Sequence, residues 1–216
     1  MQETISKILN EKVIMIVRSV PSDKILPLAE SMYRGGIRLM ECTYDASGNT
    51  PDEEVAENIA KLSEHFKGRM FIGAGTVLNE KQVRLTKEAG GKFIISPDTN
   101  PNVINETKKQ GLVSIPGALT PSEAVTAHNV GADFVKLFPI SQMGASYLKA
   151  LRAPLSHIRF LAVGGVNEEN LGEYMRNGAL GVGIGVGASE KLAIMENNFE
   201  YIEEKCRRLT YIAKSE

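Results

Sequence analysis

A chain of 216 residues, 43% hydrophobic and 24% charged, carries enough apolar material for one sizeable core, and a single domain over residues 1–216 is the expectation. Its 25 basic and 26 acidic residues leave a formal charge of −1, without the broad positive field that nucleic acid or anionic lipid would reward. No stretch approaches the roughly 18 consecutive apolar residues of a membrane span, so small-molecule chemistry in the cytoplasm is expected.

Met1 to Asn10 is polar and amphipathic, which predicts a short N-terminal helix. Short apolar runs then alternate with longer amphipathic stretches, the pattern of βα units that build a parallel sheet. Eight runs are strand-like: Val13 to Arg18, Leu39 to Tyr44, Met70 to Thr76, Phe93 to Pro97, Val113 to Ala118, Phe134 to Pro139, Arg159 to Gly165 and Gly181 to Gly185. Helix starts are marked by Pro21-Ser22-Asp23, Thr50-Pro51-Asp52-Glu53, Thr120-Pro121-Ser122-Glu123 and Asn167-Glu168-Glu169. Helix ends fall at glycine, as in Arg34-Gly35-Gly36, Glu88-Ala89-Gly90-Gly91, Val130-Gly131-Ala132 and Asn177-Gly178-Ala179. Eight such units in this length predict a (β/α)8 TIM barrel, with a doubly wound open sheet as the alternative that periodicity leaves open.

In a parallel barrel a strand is covered on both faces, so a charged residue in mid-strand is buried whichever way it points. Lys136 lies in Phe134-Val135-Lys136-Leu137-Phe138, and Glu41 in Leu39-Met40-Glu41-Cys42-Thr43. Burial disfavours the charged ammonium, and a neutral amine is what nucleophilic attack on a carbonyl needs. A buried carboxylate beside it can shuttle protons in amine-catalysed aldol cleavage, although a neutralising ion pair would use the same two residues.

Glycines end the last two strands, in Gly164-Gly165 and in Gly183-Ile184-Gly185-Val186-Gly187. There the backbone N–H groups can meet an anion, but glycine also serves tight turns for geometric reasons alone. His65, His128 and His157 fall outside the strand ends and form no metal-ligand set. A metal-dependent enzyme would have to use Glu41, Asp45 and Asp98. Cys42 and Cys206, without a spacing motif, are expected to be reduced thiols.

Taken together, Glu41-Cys42-Thr43, Gly73-Ala74-Gly75-Thr76-Val77, Ile95-Ser96-Pro97, Ile115-Pro116-Gly117, Val135-Lys136-Leu137-Phe138-Pro139 and Val163-Gly164-Gly165-Val166 resemble the 2-keto-3-deoxy-6-phosphogluconate and 4-hydroxy-2-oxoglutarate aldolases, from about Val13 to Gly187. The resemblance implies a class I aldolase releasing pyruvate from a 2-oxo acid, without a cofactor or metal, usually assembled as a homotrimer. It puts the Schiff-base lysine at Lys136 and the acid/base at Glu41. It puts substrate contacts at Arg18, Thr76, Pro97 and Phe138, and the phosphate end at Gly164, Gly165, Val186 and Gly187. Three positions depart from the family pattern. Asp45 stands where an arginine commonly meets the substrate carboxylate, Val163 where threonine often precedes the glycine pair, and Val186 where a serine holds phosphate. These departures leave open an unphosphorylated substrate, or a barrel that binds a sugar acid without aldol chemistry.

Overall fold

The structure, a computed structural model, describes residues 1–216. Helix α1 (Gln2–Glu11) leads into β1 (Val13–Val17), α2 (Ile25–Arg34), β2 (Leu39–Thr43), α3 (Asp52–His65), β3 (Phe71–Gly75), α4 (Glu80–Glu88), β4 (Phe93–Ile95) and α5 (Pro101–Lys109). Then come β5 (Val113–Ile115), β6 (Gly117–Ala118), α6 (Pro121–Val130), β7 (Val135–Leu137), a 3₁₀ turn (Ile140–Gln142), α7 (Ala145–Arg152), β8 (Phe160–Val163), α8 (Leu171–Arg176), β9 (Val182–Gly185), α9 (Ala188–Met195) and α10 (Phe199–Ser215). No helix is long and apolar enough to cross a membrane.

All strand pairings are parallel, in the order β5-β4-β3-β2-β1-β9-β8-β7-β6. The terminal members, β5 and β6, are one stretch of chain split at Pro116, so the sheet closes on itself and the open-sheet alternative is set aside. Eight expected runs therefore appear as nine segments. Proline has no N–H to donate to a ladder, and the chain changes partner there: Ile115 faces β4, whereas Gly117 pairs with Lys136 of β7. The Lys136 N–H donates to the Pro116 carbonyl at 2.9 Å across this seam.

Local chemistry accounts for most boundaries. Thr120 and Glu123 form a reciprocal capping box at α6. Two helices start later than their leading residues suggest. Residues after Pro21 make a turn closed by Lys24 N–H to the Pro21 carbonyl before α2 begins. The Asn167 side chain accepts from the Glu169 and Asn170 N–H groups, which delays α8 to Leu171.

Two apolar layers hold the fold. The larger lies between the strands and the outer helices, with Leu28, Met32, Ile59, Phe66, Leu148 and Leu209 fully covered. The smaller fills the barrel itself with Ile14, Leu39, Phe71, Phe93, Val113, Phe134 and Leu161, and Ile5 and Ile8 of α1 join it from below. The N-terminal helix thus plugs the end of the barrel where the strands begin.

Candidate active site

Strand alternation carries the inward face of β2 from Leu39 to Glu41, and that of β7 from Phe134 to Lys136. Both charged side chains are buried, Glu41 to 2% exposure and Lys136 to 6%. They share a cavity of about 360 Å³ lined also by Ile16, Arg18, Thr76, Pro97, Phe138 and Val163, with Gly164, Gly165, Gly183 and Gly185 at its edge. It opens where the strands end, the face on which barrel enzymes carry their chemistry.

The Glu41 carboxylate lies directly over the backbone of Gly75, where a Cβ would come within 2.3 Å of Oε1. Its Oε2 is buried with no hydrogen-bond partner. Burial pushes the carboxyl up to about 7, against the pull of the Lys136 ammonium and the Arg18 guanidinium. Lys136 is pushed below the ordinary lysine range by burial, opposed by Glu41 and assisted by Arg18. Lys136 donates no hydrogen bond and makes no ion pair with Glu41; its Nζ instead stands 4.5 Å from the centroid of the Phe138 ring. An amine whose burial favours its uncharged form and a carboxyl that exchanges its proton near neutrality therefore coexist in one pocket.

Arg18, at the end of β1, donates from Nη2 to the Thr76 hydroxyl at 2.9 Å. Thr76 takes a left-handed backbone at φ 53°, a conformation unusual for threonine that turns the chain sharply out of β3 at the cavity wall. Pro97 and Phe138 add apolar wall. Gly164 and Gly165 follow β8 at φ 93° and 79°, and both border the cavity.

Two expectations at the anion end need correction. Val186 does not face the cavity: alternation along β9 turns Gly183 and Gly185 inward, and Val186 packs outward with Met15, Met32 and Ile202. Its N–H is also taken, donating to the Ile16 carbonyl at 3.2 Å. Gly187 is the N-cap of α9, outside the cavity lining, and the Glu190 carboxylate folds back against it. Burial works to raise the Glu190 carboxyl, but the Lys205 ammonium and the N–H groups of Glu190 and Gly187 outweigh it and hold the group below its usual range. Val163, by contrast, does line the cavity.

Asp45 is not aimed at the cavity either. Its carboxylate ties its own loop, accepting from the Ser47 N–H at 2.9 Å, the Ser47 hydroxyl at 2.6 Å and the Thr50 N–H at 3.0 Å. It borders a neighbouring cavity of about 290 Å³ that shares only Arg18 with the first. Glu41, Asp45 and Asp98 are not gathered, and no three His, Cys, Asp or Glu side chains lie close enough to share an ion. Sequence reading missed Ile16 as a lining residue, although inward alternation from Ile14 was available to find it; of the glycine run that ends the last strand, Gly183 and Gly185 are the members that line the cavity.

The family described as KDPG and KHG aldolase matches residues 4–205. The 2-dehydro-3-deoxy-6-phosphogalactonate aldolase of Escherichia coli is 35% identical over 173 residues, 80% of this chain and 82% of that one. The 2-dehydro-3-deoxy-phosphogluconate aldolase of Haemophilus influenzae is 28% identical over 217 residues, covering 99% of this chain and 98% of its own. Among solved structures, the KDPG aldolase of Legionella pneumophila, with pyruvate captured at low pH as a covalent carbinolamine intermediate, superposes with a TM-score of 0.85. It is 28% identical and covers 95% of this chain and 97% of that one.

Proposed function

This chain belongs to the KDPG and KHG aldolase family and is a class I aldolase, and we propose that Lys136 and Glu41 carry out its chemistry on a 2-dehydro-3-deoxy-6-phospho sugar acid. The observation that carries this reading is the buried pair in one cavity, in which burial pushes the amine below the ordinary lysine range and the carboxyl, its Oε2 unpartnered, up to about 7.

Unprotonated Lys136 adds to the C2 carbonyl, and the resulting carbinolamine loses water to give an iminium. A base then removes the C4 hydroxyl proton, the C3–C4 bond breaks, and its electrons pass into the iminium as an enamine. Carbons 4 to 6 leave as a phosphorylated three-carbon aldehyde. Protonation of C3 and hydrolysis return pyruvate and free Lys136. Glu41 supplies and collects the protons, since a carboxyl poised near neutrality can do both. Arg18, already fixed on Thr76, is the guanidinium for the substrate carboxylate, a role that Asp45 does not fill. The phosphate is assigned to the Gly164-Gly165 end.

The test is to incubate the protein with pyruvate and borohydride and to seek the reduced adduct on the Lys136 peptide. Lys136→Arg should give no adduct and no turnover, because arginine keeps its charge and cannot attack. An adduct elsewhere overturns the assignment. A panel of phosphorylated and unphosphorylated 2-oxo acids, assayed for pyruvate release, tests the substrate class.

A homotrimer is part of the same proposal. Leu192 and Met195, each 60% exposed on one face of α9, supply apolar surface that an assembly would cover. Light scattering on the purified protein measures the mass. A cytoplasmic location, in keeping with two buried unpaired cysteines, is tested by cell fractionation.

A further inference from the structure

The phosphate end depends on backbone donors, and two observations show how few there are. At α9 the Glu190 carboxylate already occupies the side of Gly187, and the Val186 N–H is bonded to Ile16. The N–H groups of Gly164, Gly165 and Val166, in contrast, donate to no protein carbonyl. The carbonyls of the same loop are not idle. Ser141 N–H donates to the Gly164 carbonyl at 3.1 Å, and Asn170 Nδ2 donates to the Gly165 carbonyl at 2.9 Å.

In a trans peptide the N–H and the C=O of one unit point in opposite directions. Tying the Gly164 carbonyl back therefore turns the Gly165 N–H the other way, and tying the Gly165 carbonyl does the same for Val166. Gly164 and Gly165 are left-handed, so the loop could readily take other peptide orientations without such ties. Asn170 is itself fixed, since its Oδ1 accepts the Asn167 N–H at 2.8 Å.

We propose that Asn170 is a positioning residue for the phosphate subsite: its carboxamide holds the Gly165 peptide so that the Val166 and Gly165 N–H groups converge on the substrate phosphate. Asn170 does not touch the reacting atoms. The inference rests on the assignment of a phosphorylated substrate above, and it predicts an effect confined to the phosphate.

The experiment uses the full chain with Asn170→Asp and Asn170→Ala. The first keeps the Oδ1 acceptor for Asn167 and removes only the donor; the second is uncharged, so agreement between them separates the lost donor from added charge. Both variants should lose about tenfold or more in kcat/KM for 2-dehydro-3-deoxy-6-phosphogluconate, through KM, the factor expected for one misaligned charge-assisted hydrogen bond. Turnover of the unphosphorylated analogue and borohydride trapping of pyruvate should stay within about twofold of the parent. Inorganic phosphate, followed by ³¹P line broadening, should bind the parent more tightly than either variant, a readout that needs no turnover. An unchanged preference, or an equal loss with phosphorylated and unphosphorylated substrates, overturns the proposal. So does a parent protein that neither prefers the phosphorylated substrate nor binds phosphate. A parent that binds phosphate yet traps no pyruvate would instead sink the aldolase assignment of Lys136 and leave the role of Asn170 to the phosphate measurement.

Discussion

The two ends of the barrel interior are built on the same strands and have opposite characters. At the closed end Leu39 and Phe134 meet Phe71, Phe93 and the α1 residues Ile5 and Ile8 in a dry cluster. Two residues further along the same faces stand Glu41 and Lys136, both buried, with no hydrogen bond between them. A step of about 6.6 Å along a strand separates side chains whose burial lowers the free energy of the fold from side chains whose burial raises it. The lower layer holds the backbone rigid, and that rigidity keeps the upper pair in a setting it would leave if the barrel could relax.

Replacing the upper pair with lower-layer chemistry should break the contrast most sharply. Lys136→Met should abolish pyruvate release and yet raise the denaturant midpoint, with stability higher on the order of 1 kcal/mol near neutrality, since a costly buried amine is removed. A variant that lost stability would show that Lys136 contributes to the fold.

The reverse substitution tests the other layer. Phe134→Ala should cost about 3–5 kcal/mol in urea unfolding through the cavity it leaves, while pyruvate trapping on the folded fraction persists. Loss of trapping without loss of stability would contradict the division between the two ends.

Glu41→Gln should lower turnover by roughly 10²-fold with the fold retained. The pH dependence gives the sign. Because the folded carboxyl is raised from 4.5 to about 7, the folded state holds more protons than the unfolded state between those values, so stability falls as pH rises through that window and is level above it. Glu41→Gln should remove that slope, together with the limb of the pH–rate profile near 7. A slope that survives in the variant would assign it to another group.

The smallest effect belongs to the corrected position. Val186→Ser, facing the outer helices, should leave the ratio of phosphorylated to unphosphorylated kcat/KM within about twofold of the parent, whereas Val163→Thr, which borders the cavity, should raise it. A marked change from Val186→Ser would mean that β9 is turned the other way.

Lys136 and Glu41 were legible in the sequence because a charge inside an apolar run conflicts with its surroundings, and such conflicts mark sites. The barrel was legible from eight repeated units and their glycine ends. What escaped depended on facing and on side-chain partners. Val186 follows two inward glycines by odd steps, so alternation turns it out, a point that motif matching passes over. Asp45 reads as a missing arginine until its bonds to Ser47 and Thr50 reveal a loop staple. Asn170 carried no signal beyond following the Asn167-Glu168-Glu169 helix start, and its hold on Gly165 requires the folded loop. Pro116 did not reveal that a strand would change neighbours there, because both pairings are long-range.

The seam at Pro116 gives the catalytic strand a built-in gauge of its own integrity. The Phe134, Lys136 and Phe138 N–H groups tie this strand to Ser114, Pro116 and Ala118, and the middle bond, at the seam itself, sits on the same residue as the side chain assigned to the chemistry. Deuterium uptake at that single amide therefore reports how often the cylinder breathes at the point where breathing would admit water to the amine.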